Sequence, residues 1–215
     1  MIDIRSIVCL LVILLVNQGA TADHQDKFYL GDGQVLTGKL DNPFILFDTT
    51  YGQFKIPNSA CRFIDVGDQN LATFKSINQE TITGLIRNDL DVEQPDRVRV
   101  RISKESILKV VCMDRGEADV HNATYFKMLD GDSFYGTILD QSFLFATNYA
   151  ELDTKFADVV KIEVVRAQTQ ILLSNGNLIK GYIASPFIMV KSLYGFDMKI
   201  PNTSIRLIQL RPEKS

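Results

Sequence analysis

Along this chain of 215 residues an Asp-Gly turn, a second glycine, a Tyr-Gly pair, an Ile-Pro pair and a closing isoleucine recur in fixed order. The first copy reads Asp32-Gly33, Gly38, Tyr51-Gly52, Ile56-Pro57-Asn58, Ile64, and the last reads Asn175-Gly176, Gly181, Tyr194-Gly195, Ile200-Pro201-Asn202, Ile208. Two further copies lie between them, anchored on Gly84 and on Gly136 of the Asp130-Gly131…Gly136…Tyr149 run. A unit repeated in this way builds extended surfaces and assemblies more readily than one enclosed active site.

Each unit reads as β-structure. Asp-Gly or Asn-Gly between apolar segments is a strong hairpin signal, because the tight turn needs positive φ. The glycine five residues later falls inside a strand, where glycine marks a bulge or a close backbone approach. Phe44-Ile45-Leu46-Phe47 and Phe187-Ile188-Met189-Val190 predict a third strand, and the Tyr-Gly pair turns the chain into a fourth. Pro57 and Pro201 end that fourth strand, since proline has no N–H to donate. The Asn-rich segments after them suit a short helical turn. In the closing strand, Ile205, Leu207 and Gln209 alternate with Arg206, Ile208 and Leu210, which predicts a strand covered on both faces. The fold class is therefore all-β: four tandem β-meander or small-barrel-like repeats, with a four-bladed propeller as the alternative arrangement.

The N-terminus reads differently. Arg5 precedes an apolar run from Ile7 to Val16, and Ala20-Thr21-Ala22 supplies small residues at a cleavage point before Asp23. That pattern predicts a secretory signal peptide and a periplasmic or secreted protein. The division is 1–22 signal peptide, 23–67 first repeat, 68–114 second, 115–166 third and 167–215 fourth. No second long apolar run follows, so no transmembrane segment is expected in the mature chain. Cys61 and Cys112 remain after cleavage. Cys61 aligns with Ile107, Val159 and Ile205, which marks a core apolar position, while export leaves a disulfide open as the alternative.

Run from Leu30-Gly31-Asp32-Gly33 through Gly38-Lys39-Leu40 to Phe44-Ile45-Leu46, the unit resembles the first half of an Sm-like small β-barrel. That resemblance implies the barrel fold over about thirty residues per copy. The RNA-binding residues of that family find no counterpart here, so RNA binding is not implied. The chain is also similar to exported bacterial tandem β-repeat proteins, which implies an envelope context.

Few residues offer chemistry. His24 and His121 are the only histidines and neither has a ligand partner at metal spacing. Asp130 and Asp132 are the candidates for a hard cation, without the further oxygens of a calcium loop. His121-Asn122-Ala123-Thr124 and Asn202-Thr203-Ser204 contain glycosylation-type sequons. No cofactor is expected. The second copy has diverged most: Asn78-Gln79 replaces the turn, and Arg97-Val98-Arg99-Val100-Arg101-Ile102 replaces the Tyr-Gly region. Alternation puts Arg97, Arg99 and Arg101 on one face. They form either a contact stripe for an anionic ligand or partner, or a solvated face neutralised by Asp89, Asp91, Glu93 and Asp96. With a formal charge of −3, nucleic acid is not an expected partner. Tyr51, Tyr149 and Tyr194 are the aromatic candidates for a sugar platform, in a chain with no tryptophan. The function expected is a non-catalytic scaffold or accessory subunit of a cell-envelope complex, with envelope or secreted protein partners and homo-oligomerisation as one route. The alternative is a binding protein for an anionic or carbohydrate ligand.

Overall fold

A computed structural model describes residues 25–67, 70–113, 116, 120, 123–166 and 168–210. The expected signal peptide, both histidines and Asn122 of the first sequon lie outside them. Each copy contributes five strands. Copy one holds β1 (Asp26–Leu30), β2 (Val35–Leu40), β3 (Phe44–Thr49), β4 (Gly52–Pro57) and β5 (Cys61–Val66). Copy two holds β6 (Leu71–Ser76), β7 (Thr81–Ile86), β8 (Leu90–Glu93), β9 (Arg99–Ile102) and β10 (Ile107–Val111). Copy three holds β11 (Thr124–Met128), β12 (Ser133–Ile138), β13 (Ser142–Ala146), β14 (Glu151–Lys155) and β15 (Val159–Val165). Copy four holds β16 (Gln168–Leu173), β17 (Leu178–Ile183), β18 (Phe187–Ser192), β19 (Asp197–Pro201) and β20 (Ile205–Gln209). A single 3-10 turn precedes the last strand of every copy, at Asn58–Ala60, Lys104–Ser106, Phe156–Asp158 and Asn202–Ser204. The protein is all-β, and its antiparallel sheet is not closed into a barrel.

The turn residues do what their chemistry predicts. Gly33, Gly131 and Gly176 carry positive φ at the first hairpin of their copies, and in copy two Gln79 takes the same conformation at φ 66°. After the Ile-Pro pairs, Asn58 Nδ2 donates to Leu40 O at 3.0 Å, and Asn202 Nδ2 donates to Ile183 O and Ser185 O at 2.8 Å each. The Asn202 nitrogen that a glycan would need is thus engaged by the backbone.

Pairing departs from a simple meander after the second strand. β2 does not continue onto β3 of its own copy; its last residues, Lys39 and Leu40, pair with β8 of copy two. In return β7 pairs with β3 of copy one through Leu85 and Ile86. The first half of the chain follows the path β9-β8-β2-β1-β10-β5-β6-β7-β3-β4. Exchanging copy one for copy two leaves that path unchanged, so the two copies are intertwined as pseudo-symmetric partners. Copies three and four repeat it as β14-β13-β17-β16-β15-β20-β11-β12-β18-β19. No copy forms a blade of its own, which sets aside the four-bladed propeller.

The anchor glycines stand where the exchanged hairpins cross. A Cβ on Gly38 would lie 2.6 Å from Glu93 O, and one on Gly136 would lie 2.7 Å from Lys191 O. On Gly84 and Gly181 it would strike the carbonyl oxygens of Asp48 and Ala146. Four residues further along, a polar side chain clamps the third strand of the sister copy. Asn42 Oδ1 accepts from Asp91 N at 2.6 Å, and Asn88 Oδ1 from Leu46 N at 2.8 Å. Asp140 Oδ2 accepts from Met189 N at 2.7 Å, and Ser185 Oγ from Leu144 N at 3.0 Å.

The closing strands differ from the expected alternation. In β20 it is Ile205 and Ile208, three apart, that are fully buried. A register shift opposite Lys127 and Met128 skips Arg206 and returns both isoleucines to the core. The same three-residue spacing buries Cys61 with Ile64, Ile107 with Val110 and Val159 with Ile162. A bulge in each pairing is the physical reason. Cys61 and Cys112 are both buried and are not joined in a disulfide, in keeping with the apolar core position read for Cys61.

Candidate functional site: the seam between the halves and the arginine edge

The two halves meet along a seam made by β7, β3 and β4 on one side and β12, β18 and β19 on the other. The strand ladders touch at a single pair, Ser133 with Thr81. Around that pair the aromatic rings of both halves interlock. Phe134 stacks on Phe126 of its own half at 5.0 Å between centroids, and meets Tyr51 at 6.2 Å and Phe54 edge-on at 5.3 Å across the seam. At the far side Phe44 meets Phe196 edge-on at 5.4 Å, and Lys55 Nζ sits 5.5 Å from the Phe196 ring centroid.

Two carboxylates tie the seam, in the same way on either side. Asp132 Oδ2 accepts from the Tyr51 hydroxyl at 2.5 Å and from Thr83 N at 2.7 Å. Glu80 accepts from the Tyr194 hydroxyl through Oε2 and from Tyr135 N at 3.0 Å through Oε1. Asp132 and Glu80 both stand four residues before their anchor glycine, and Tyr51 and Tyr194 both stand thirteen after theirs. The seam thus has the same pseudo-symmetry as each half. Burial pushes both carboxyls above their ordinary range, opposed by the hydrogen bonds they accept. It also pushes both phenols well above theirs, with the facing carboxylate adding to the rise.

The cation candidates are employed differently from the sequence expectation. Asp132 serves Tyr51 and Thr83, while Asp130 accepts from Thr50 Oγ1 through Oδ2 and from Asp132 N through Oδ1, both at 3.1 Å. Among the described residues no three His, Cys, Asp or Glu side chains are grouped to hold a metal ion. The tyrosines also part company. Tyr51 is 3% exposed and Tyr194 is half-buried against Glu80, whereas Tyr149, the same position in copy three, is 90% exposed.

Of the three arginines expected on one strand face, Arg99 and Arg101 lie where the alternation places them, on the outermost strand of the first half, and Arg97 does not, because the strand begins only at Arg99. Arg99 and Arg101 are on β9, and Arg97 forms the turn into it with φ 66°. Arg101 donates through Nε to Asp91 Oδ1 at 2.8 Å, and that bond holds the Asp91 carboxyl below its usual range. Arg99 pairs with Asp41 at 3.4 Å, an acid from copy one outside the expected neutralising loop. Asp89 and Asp96 instead accept from the backbone amides of Lys104 and Val98. Both guanidinium side chains stay about seven-tenths exposed, at 71% and 70%.

No family profile matches the chain, and no curated protein or solved structure is detectably similar to it.

Two clefts open elsewhere, at related positions of the two halves. One, of about 220 Å³, is lined by Val66, Asn70, Leu85, Arg87 and Lys104; the other, of about 300 Å³, by Leu129, Val164, Thr169, Tyr182 and Asn202. None of the three arginines lines either cleft. Sequence reasoning missed Glu80 and Tyr135, and singled out Asp132 only as a cation candidate. The available signal was the column Gln34, Glu80, Asp132, Asn177, which is acidic only in the two central copies.

Proposed function

We propose that this chain is a non-catalytic, exported β-repeat protein that acts as a scaffold or accessory subunit of a cell-envelope complex. The observation that carries the reading is the use made of the buried carboxylates. Glu80 and Asp132 are the groups best suited to acid–base chemistry, and both are occupied by tyrosine hydroxyls and backbone amides that hold the halves together. What remains at the surface, among the described residues, is two sheet ends, β9 and β14, each paired on one side. No described helix is long and apolar enough to cross a membrane, and the N-terminal signal pattern supports export. Native-mass measurement after gentle crosslinking in the producing cells tests the proposal. Recovery in a defined assembly with exported or membrane proteins supports it, and recovery only as a free monomer overturns it.

The exposed guanidinium groups of Arg99 and Arg101 favour a second reading, an anionic ligand on the β9 edge. Replacing Arg97, Arg99 and Arg101 with glutamine then abolishes binding of a polyanionic glycan such as heparin. Binding that survives the triple change removes this reading.

A further inference from the structure

The seam is built from one end of each half, and each half has a second, pseudo-equivalent end whose edge strand, β9 or β14, has one strand partner among the described residues. The outer end of the first half presents β2, β8 and β9; the outer end of the second presents β17, β13 and β14. We propose that these outer ends bind each other between molecules, so that a second copy of this chain docks head to tail through a junction that repeats the seam.

Three correspondences support this, and it rests on the scaffold reading above. The seam's hydrogen-bonding positions remain complementary at the outer ends. Where Tyr51 donates to Asp132 inside the molecule, Tyr149 of one copy would donate to Gln34 of the next. Where Tyr194 meets Glu80, Arg97 would meet the side-chain oxygen of Asn177. Both new pairs keep a donor opposite an acceptor.

The apolar positions are also kept. Phe54 and Met198 are buried, with Phe54 in the seam's ring cluster, while their equivalents Val100 and Leu152 are only half-buried at the outer ends. Leu36 and Ile179, equivalent to Ile82 and Phe134, are likewise incompletely covered. Tyr149 is exposed where its seam counterparts are packed.

Charge supplies the direction. Inside the molecule the edge strands β4 and β19 face each other, carrying Gln53 and Lys55 against Asp197 and Lys199. The equivalent residues are Arg99 and Arg101 on β9, and Glu151 and Asp153 on β14. The β9 edge strand is basic and the β14 edge strand acidic, with Asp96 and the β8 partners Asp91 and Glu93 opposing the first and Lys155 the second. Lys55 reaches across the seam to the Phe196 ring, so the position of Arg101 is one that crosses a junction. Asp41 and Asp91 engage the arginines from one side and leave most of each guanidinium open to a neighbour. Basic edge to acidic edge is a heterologous contact that leaves one edge of each kind free after every addition, so it yields a string of molecules, open or closed into a ring as the rotation at each junction dictates.

Sedimentation velocity of the purified protein, followed to about 1 mM, tests the proposal with two charge-reversed variants. Arg99→Glu/Arg101→Glu makes both edges acidic, and Glu151→Lys/Asp153→Lys makes both basic. We expect the native protein to associate, and to do so at least tenfold more weakly when salt rises from about 0.01 M to about 1 M. Each variant alone is expected to be monomeric. An equimolar mixture regains association, because every junction again joins unlike edges, a rescue that misfolded protein cannot give. A native protein that stays monomeric throughout, association untouched by either reversal, or a mixture that remains monomeric overturns the proposal. If outer-end variants instead lose a different envelope protein while the native chain is monomeric, self-assembly fails and the scaffold reading stands.

Discussion

Asp132 and Tyr51 show how one repeated position acquires different work in different copies. A buried carboxylate is costly unless charge-assisted hydrogen bonds replace its water, and Asp132 receives two. Tyr51→Phe removes one donor from an ionised group and is expected to cost about 1.5–3 kcal/mol. In an Asp132→Asn background the lost bond is neutral and the cost falls to about 0.5–1.5 kcal/mol. A double-mutant cycle by urea unfolding measures the difference, and additive costs would show that the charge adds nothing. The pH response follows from the same groups. Burial raises the Asp132 and Glu80 carboxyls above their ordinary 3.8 and 4.5, so the folded state holds protons that the unfolded chain has released. Their contribution is greatest below the ordinary values and is lost as pH rises through the raised ones. Melting curves should therefore show the native protein gaining on Asp132→Asn/Glu80→Gln as pH falls from 7 toward 4.5. A constant difference between the two would contradict the shift.

At the scale of the element, the second strand and its glycine decide the topology. β7 leaves β6 and joins β3 at Leu85, immediately after Gly84, and the passing backbone of Asp48 leaves no room for a side chain. Gly84→Ala is expected to destabilise by about 1–3 kcal/mol through overpacking. Asn88→Ala, which orphans Leu46 N, should cost about 1–3 kcal/mol. Both are read by chemical denaturation, and a neutral result for either would remove that residue from the crossing. The existence of these strands was legible, because turn glycines, Ile-Pro stops and apolar runs are local signals. Gly38 and its equivalents also announced a close approach. Which backbone approaches was not legible: β2 of copy one is chemically as suited to β3 as to β8, since both are copies of one strand. The polar column Asn42, Asn88, Asp140, Ser185 was visible but reads as ordinary turn chemistry until its partners are known. The closing strands misled for a related reason. A bulge shifts burial from period two to a spacing of three, and nothing local marks it. For the site, the arginine face of β9 followed from alternation, whereas the seam depends on contacts about 50 to 115 residues apart in the chain.

For the whole molecule, the exchange of strands fixes the smallest unit that can fold. In a single copy β5 loses both its neighbours, β6 and β10, and β1 and β2 lose β10 and β8. Only the β1–β2 and β3–β4 hairpins survive, and isolated hairpins are marginal in water. Two adjacent copies keep every pairing of their half and give up only the seam. A fragment of residues 23–113 is therefore expected to unfold cooperatively in urea and to resist trypsin, and the fragment 115–215 likewise. Residues 23–67 alone should show neither property. The carboxylates make a further distinction, because in the separated halves Glu80 and Asp132 no longer face Tyr194 and Tyr51. Water reaches them there, and the stability gained on acidification by the intact chain should shrink or vanish in each fragment. A folded single copy, or a half that stays unstructured, would mean that the copies are not interlocked in pairs. Folded halves that keep the full acid response would show instead that the two carboxyls are shielded within their own half, and that the seam is not what raises them.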